Sequence, residues 1–316
     1  MGGRQEGLTM PRVFISTSSF AKYDASPLKL LKEVGMDVQL NPYQRKLTPD
    51  ECLNLYKDID GLLAGTEALT AKILRSAKNL KVISRCGVGT DNIDMGAVKE
   101  LGIKVFITPD APTQAVAELT IGLILDLLRS ISAQDHLVKT SSWQKNMGSL
   151  LSGKTLGILG LGRIGKKVVE LTQPFNLKYV AWDNSPDRQF ADKYSIELTG
   201  LDELLTKADI VTVHLPYTSE LKGIIGEREL SLIKQGAFLL NTARGGLVDE
   251  VALYSALKAK GIAGAALDTF DQEPYTGPLA KLDNIILTPH IGSYAREARI
   301  EMETQAVKNL LQGFGL

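Results

Sequence analysis

The run Gly160-Leu-Gly-Arg-Ile-Gly165 constrains this chain more than any other feature, because of what flanks it. It follows an apolar run, Thr155–Leu159, that reads as a buried strand, and it opens a helical run, Lys166–Leu171, that stops before Pro174. A second strand, Lys178–Trp182, then ends in Asp183. Each glycine has a separate physical task in such a strand–turn–helix. Gly160 permits the tight turn, Gly162 lets the backbone approach a pyrophosphate, and Gly165 lets the helix lie close on the strand. The helix N-terminus adds unpaired N–H groups and partial positive charge. Arg163 and Ile164 belong to this cofactor-binding turn, and Arg163 reads equally well as a phosphate contact or a solvated helix-start residue. Asp183 stands about 20 residues beyond the first glycine, where a carboxylate accepts hydrogen bonds from an adenosine ribose. It would repel a 2′-phosphate, and Asn184 and Ser185 bring no cation, so NAD is expected rather than NADP.

Strand and helix patterns alternate around this turn from end to end, which specifies parallel sheets covered by helices on both faces. Before it come strand-like runs at Val13–Ser16, Asp37–Leu40, Gly61–Ala64, Lys81–Ser84 and Val105–Thr108. Helical patterns lie between them, one opened by the capping box Thr48-Pro-Asp-Glu51. Thr113 to about Ser141 reads as one helix roughly 40 Å long at 1.5 Å per residue, suited to crossing between domains. After the turn, strands are expected at Ile210–Val213, Ala237–Leu240, Ala263–Leu267 and Ile285–Leu287, then a helix over Ser293–Leu311. No strand follows that helix, so it is expected to return to the first domain. The resulting division is 1–108 with 291–316, around an inserted domain over 109–290.

Composition narrows the function classes. At 316 residues the chain is long enough for two domains of ~150 residues each. Lys+Arg and Asp+Glu are 36 each, so no net charge marks a nucleic-acid or membrane partner. Two cysteines, Cys52 and Cys86, make no disulfide framework and have no metal-ligand spacing, so no metal is expected. Met1–Met10 lacks the apolar core of a signal peptide. Met10-Pro-Arg-Val-Phe-Ile reads as a second start, with residues 1–9 an extension. A cytoplasmic protein is expected.

Three strand ends carry reactive side chains, where open α/β sheets bind ligands. Ala237–Asn241 runs on into Thr242-Ala-Arg244-Gly-Gly, Ala263–Leu267 into Asp268-Thr-Phe-Asp-Gln-Glu273-Pro, and Ile285–Leu287 into Thr288-Pro-His290-Ile-Gly. Arg244 can grip a carboxylate with two parallel hydrogen bonds. His290 can carry a proton near neutral pH, and Glu273 can hold its imidazole. Such a set suits oxidation of a hydroxy acid by a nicotinamide. His136 lies inside a helical run and is not placed for this work.

Taken together, Gly160–Gly165, Asn241-Thr-Ala-Arg-Gly-Gly-Leu-Val-Asp-Glu250, Leu267-Asp-Thr-Phe-Asp-Gln-Glu-Pro274 and Thr288-Pro-His-Ile-Gly292 closely resemble the D-isomer-specific 2-hydroxyacid dehydrogenases. Within that family the likeness is greatest to the short form of D-3-phosphoglycerate dehydrogenase. The resemblance implies two Rossmann-like α/β domains: a discontinuous, flavodoxin-like substrate domain and an inserted NAD-binding domain. It implies Arg244, Glu273 and His290 as catalytic groups, and Thr242 and Asp268 near the nicotinamide. His214 and Pro216, in the strand-end run His-Leu-Pro, would line the cofactor pocket. The backbone N–H groups of Val88 and Gly89 would meet the substrate carboxylate together with Arg244. A homodimer and a place in serine biosynthesis are also implied.

One segment departs from the pattern. Phosphoglycerate-specific members carry an arginine in the loop after the third strand, but here Leu63-Ala-Gly-Thr-Glu-Ala-Leu-Thr70 holds no basic residue and an acid at Glu67. Arg85 or a second subunit could compensate. The alternatives are a glyoxylate or hydroxypyruvate reductase acting on a small unphosphorylated 2-oxo acid, a formate- or phosphite-type dehydrogenase, and an NAD-sensing, corepressor-like interaction protein. The end at Leu316 leaves no room for a regulatory domain, so feedback through one is not expected.

Overall fold

A computed structural model describes residues 10–316. The expected extension, residues 1–9, lies outside the described residues. The chain forms two compact units. One runs to Pro112 and resumes over Arg296–Leu316; the other is Thr113–Ala295.

In the first unit the elements are β1 (Arg12–Ile15), α1 (Ser26–Glu33), β2 (Asp37–Leu40), α2 (Pro49–Leu55), β3 (Gly61–Ala64), α3 (Ala71–Ser76), β4 (Val82–Arg85), α4 (Met95–Glu100) and β5 (Lys104–Phe106). The helix starts follow from local chemistry. Thr48 accepts from the Glu51 amide while the Glu51 carboxylate accepts from the Thr48 amide, closing the expected capping box on α2. Thr70 and Asp94 cap α3 and α4 in the same sense. All strand pairs are parallel, in the order β2-β1-β3-β4-β5, the flavodoxin-like arrangement expected. β3 and β4 are buried along their whole length, whereas β2 lies at the edge and is mostly exposed, so its apolar pattern does not mean burial on both faces.

The second unit begins with α5 (Thr113–Arg129) and α6 (Ile131–Lys139). The single long helix expected over 113–141 is therefore two. Ser130 between them adopts a left-handed conformation, φ 49°, and the Asp126 carboxylate accepts from the Ser132 amide at 2.9 Å at the start of the new helix. A 3.6-residue apolar pattern continues through such a break, so periodicity alone does not reveal it. Then follow β6 (Thr155–Leu159), α7 (Arg163–Thr172), β7 (Lys178–Trp182), α8 (Arg188–Lys193), β8 (Ile196–Leu198), α9 (Leu201–Lys207), β9 (Ile210–Val213), α10 (Glu227–Leu232), β10 (Phe238–Asn241), α11 (Glu250–Lys258), β11 (Gly264–Leu267) and β12 (Ile285–Leu287). They form a seven-stranded parallel sheet, β12-β11-β10-β9-β6-β7-β8. β8 is an edge strand of three residues with Glu197 at its centre, so no apolar run marks it in the sequence. Helix α5 packs Ala117, Leu123, Ile124 and Leu128 with Leu156 and Ile158 of β6 and Val168 of α7.

The last helix, α12 (Arg296–Phe314), returns to the first unit. It starts three residues later than expected, because Ile291–Tyr294 forms a turn first. Met302, Ala306, Val307 and Leu310 are buried against Val13, Ile15, Leu63 and Val82. Among the described residues, no helix is long and apolar enough to cross a membrane.

Candidate active site

In the second sheet the strand order reverses between β6 and β9, and the glycine turn leaves β6 at that point. Gly160 has φ +96°, and a Cβ on it would lie 2.7 Å from the carbonyl oxygen of His214. A Cβ on Gly165 would run into the Gly160 carbonyl. The fold itself therefore demands both glycines. Gly162 is different: a Cβ there meets nothing within 4 Å, and φ −78° suits any residue. Gly162 is the N-cap of α7 and gives it no side-chain cap. A glycine that packing does not require, at a helix start with no side-chain cap, fits a pyrophosphate. Helix α7 starts at Arg163, three residues earlier than expected, which puts Arg163 and Ile164 in its first turn.

Asp183 stands past the end of β7, beside the turn. Its Oδ2 accepts from the Leu161 amide at 2.7 Å and its Oδ1 from the Ser185 amide at 2.8 Å. Both bonds fix the carboxylate, and each oxygen keeps a further lone pair for a ribose hydroxyl. At the end of β9, His214 sets Nε2 2.9 Å from Thr212 Oγ1. Its Nδ1 is enclosed and finds no partner among the described residues. Burial pushes the imidazole down to about 3, so the ring is neutral at physiological pH and cannot serve as a cationic acid. Pro216 lies two residues further on and is exposed.

The next three strand ends carry Thr242, Arg244, Asp268, Glu273 and His290. Asn241 builds the first turn: its side chain donates to the Arg244 carbonyl at 2.7 Å and accepts from the Ala243 amide at 3.0 Å. Arg244 Nη1 donates to the Ala243 carbonyl at 2.7 Å, and the Thr242 hydroxyl lies 3.0 Å from that of Thr120 on α5. After β11, Asp268 is fully buried. Its Oδ1 accepts from the Thr288 hydroxyl at 2.6 Å and the Ile291 amide at 2.8 Å, and its Oδ2 from the Gly292 amide at 2.7 Å. Burial raises its pKa, while those three donors oppose the rise. The carboxylate thus gathers the loop after β12 around itself, and His290 in that loop takes a left-handed φ of 53°. His290 Nδ1 lies 3.0 Å from both Oε1 and Oε2 of Glu273. The Phe270 amide also donates to Glu273 Oε1, at 3.2 Å, holding the carboxylate in place.

In the first unit Val88 and Gly89 lie in the loop after β4. Arg85 shapes that loop: Nε donates to the Gly89 carbonyl at 3.2 Å and Nη1 to the Cys86 carbonyl at 3.0 Å. The Gly87 amide donates to Thr108 Oγ1 at 2.9 Å. The amides of Val88 and Gly89 donate to no other residue among the described ones.

Residues 121–292 match the family described as D-isomer specific 2-hydroxyacid dehydrogenase, NAD binding domain. Over 295 residues, 90% of this chain, it is 41% identical to a D-3-phosphoglycerate dehydrogenase of Methanocaldococcus jannaschii. It spans 55%, about half, of that protein's length. A glyoxylate reductase of Thermofilum pendens is 43% identical over 274 residues, covering 83% of this chain and 80% of that one. The TT0316 protein of Thermus thermophilus superposes with a TM-score of 0.88 at 35% identity, covering 96% and 97% of the two chains. The chain belongs to the D-isomer-specific 2-hydroxyacid dehydrogenases.

In this family member the second unit holds the match to the NAD-binding domain, and NAD is its cofactor. Gly160, Gly162, Arg163, Ile164, Gly165, Asp183 and His214 cluster around the strand reversal of that unit, and Arg244, Glu273 and His290 follow along the same edge of the sheet. His136 is exposed on α6. Three contributors had no place in the sequence reading: Asn241, which folds the Arg244 turn, Thr288, which anchors Asp268, and Thr120, which meets Thr242. Asn241 and Thr288 do stand inside the family motifs; nothing in the sequence pairs Thr120 with a residue more than a hundred positions away.

Proposed function

We propose that this dehydrogenase interconverts a small, unphosphorylated 2-oxo acid and its D-2-hydroxy acid, using NAD. The observation that carries this reading is the Glu273–His290 pair, with Nδ1 held 3.0 Å from both carboxylate oxygens on the sheet edge that also bears the glycine turn. NAD, held by the glycine turn and Asp183, would supply the hydride acceptor or donor. In reduction of the oxo acid at C2, His290 Nε2 gives the C2 oxygen its proton, and in oxidation it takes that proton back. Glu273 fixes which ring nitrogen faces the substrate, because Nδ1 is engaged. Arg244 and the amides of Val88 and Gly89 hold the substrate carboxylate. The unit bearing Val88 acts as the substrate domain and the other as the cofactor domain, where Pro216 and Thr242 also line the pocket. Asp268 serves by shaping the loop that carries His290, since its two oxygens already hold three donors.

Two features favour a neutral C3 substituent over a phosphate. The loop from Gly65 to Thr70 has no basic side chain, and Arg85 is committed to backbone carbonyls. The acid in that loop, Glu67, is buried and brings no positive charge to a phosphate. D-3-phosphoglycerate is the second reading, favoured by the 41% identity to a phosphoglycerate dehydrogenase; it would carry the serine-biosynthesis role with it. A cytoplasmic homodimer completes the proposal. Trp143, Met147 and Leu150, exposed by 74% or more after α6, are the apolar surface that a second copy would cover.

A panel of glyoxylate, hydroxypyruvate and pyruvate with NADH and NADPH, and of D-3-phosphoglycerate, D-glycerate and D-lactate with NAD, tests the reading. NADH-dependent reduction of hydroxypyruvate or glyoxylate is expected, with weak use of phosphoglycerate. Strong preference for phosphoglycerate would overturn the substrate choice. NADH binding without turnover of any acid would favour the interaction-protein alternative. Arg244→Ala is expected to lower kcat/KM by about 10²–10⁴, as loss of a charge-assisted bidentate contact does.

A further inference from the structure

In a parallel sheet of order 2-1-3-4-5, ligands ordinarily enter the crevice where the strand order reverses, just past the carboxyl ends of the two strands that flank it. In the first unit those strands are β1 and β3, and the residues that follow them are Ser16 and Gly65. The crevice is filled by a side chain of the chain itself. Glu67 Oε1 accepts from the Ser16 hydroxyl at 2.6 Å, the Tyr56 hydroxyl at 3.1 Å and the Gly65 amide at 3.3 Å. The Gly65 amide also donates to Ser16 Oγ at 2.7 Å. All three side chains, Ser16, Tyr56 and Glu67, are buried. Gly65 has no room for a substituent: a Cβ would lie 2.9 Å from Glu67 Oε2 and 3.3 Å from Ser16 Oγ.

The same segment also holds the loop after β4. Asn92 Nδ2 donates to the Glu67 carbonyl at 2.6 Å, the Leu69 amide to the Asn92 carbonyl at 2.8 Å, and the Asp94 amide to the Leu69 carbonyl at 2.9 Å. Asn92 lies three residues beyond Gly89. One buried carboxylate therefore ties the ends of β1, β3 and α2 together, and its own backbone pins the loop that carries the Val88 and Gly89 amides.

We propose that Glu67 is an internal anion that occupies the switch-point crevice of the first unit and so positions the Val88–Gly89 loop for the substrate carboxylate. It is a positioning residue, since it is buried and touches no substrate. The donors that would attract an external carboxylate into the crevice are already taken, and the substrate is left with the amides after β4. The inference rests on the carboxylate-binding role proposed for Val88 and Gly89, and adds the reason that those amides, rather than the crevice, receive it.

The test is Glu67→Ala, with Glu67→Gln beside it, read by hydroxypyruvate KM and kcat, NADH Kd, and hydrogen exchange of the peptide over 86–94. For Glu67→Ala, KM is expected to rise about tenfold or more, the scale of a lost charge-assisted bond, with NADH Kd unchanged. Exchange at Gly87, Ile93 and Asp94 is expected to quicken. Added formate, which can enter the vacated carboxylate position, should pull KM back, and Glu67→Gln should fall between the two. Wild-type KM and exchange in a folded variant would overturn the proposal, as would a KM loss matched by an equal loss of NADH affinity. If Glu67→Ala does not fold, Ser16→Ala and Tyr56→Phe each remove one donor and carry the same readouts. The exchange measurement needs no substrate. If the wild-type enzyme reduced no oxo acid, the functional reading would fail while exchange still decided whether Glu67 holds the loop.

Discussion

Gly162 and Gly165 sit three residues apart in one turn, yet alanine should affect them in opposite ways. At Gly162 the new methyl group meets no protein atom within 4 Å and the backbone suits alanine. The stability cost is that of a poorer N-cap, about 0.5–1 kcal/mol. The same methyl group would stand where the pyrophosphate approaches the first amides of α7. A hydrogen bond from an amide to a charged oxygen is worth about 1.5–3 kcal/mol, so losing one weakens NADH binding about 10- to 150-fold. At Gly165 the methyl group strikes the Gly160 carbonyl, a backbone atom that cannot turn aside. Overpacking of this kind costs about 1–3 kcal/mol or more of fold stability. Urea denaturation monitored by tryptophan fluorescence gives the first quantity, and titration of NADH fluorescence gives the second. Gly162→Ala should fall mainly in affinity and Gly165→Ala mainly in stability. Wild-type NADH affinity in Gly162→Ala would refute the assignment of the open space to the cofactor phosphates.

Two further outcomes follow from the site. His214, lowered from 6.5 to about 3, leaves the unfolded chain binding a proton that the folded chain rejects throughout that interval, so stability falls as pH drops below 6.5. At pH 5 the cost is about 2 kcal/mol, from 1.5 pH units at ~1.36 kcal/mol each. His214→Asn should lose that much less stability than the wild type between pH 7 and pH 5 in chemical denaturation; parallel losses would contradict the neutral, enclosed ring. Glu273→Gln should lower kcat by about 10²-fold, the low end for disturbed general acid–base catalysis, while NADH Kd stays unchanged. Full kcat in that variant would remove Glu273 from the dyad.

The sequence made the strands and the strand-end residues legible because each rests on local chemistry. Buried parallel strands need short apolar runs, and a phosphate-binding turn needs glycines between strand and helix. The misjudged elements depend on something other than the local pattern. Ser130 breaks a helix whose apolar period continues on both sides of it. Glu67 is the instructive case. In the sequence it is an acid in a loop where phosphoglycerate-specific members carry an arginine. In the structure Ser16 and Tyr56, 51 and 11 positions away, turn it inward. Asp268 is similar, since its three donors come from 20 to 24 residues downstream. Carboxylates whose partners arrive only through the sheet order have no signature in a linear pattern.

The return of α12 to the first unit also sets an order of events during synthesis. Strands β1–β5 emerge from the ribosome first, but Val13, Ile15, Leu63 and Val82 await Met302, Ala306, Val307 and Leu310 for cover. The ~180 intervening residues take roughly 10–40 s to translate at ~5–20 residues per second. During that interval the contiguous second unit has everything it needs to fold, while the nascent first sheet shows one apolar face to solvent. A chaperone that recognises apolar β-surface would find its target there, in the earlier-made half of the chain, until the last helix arrives.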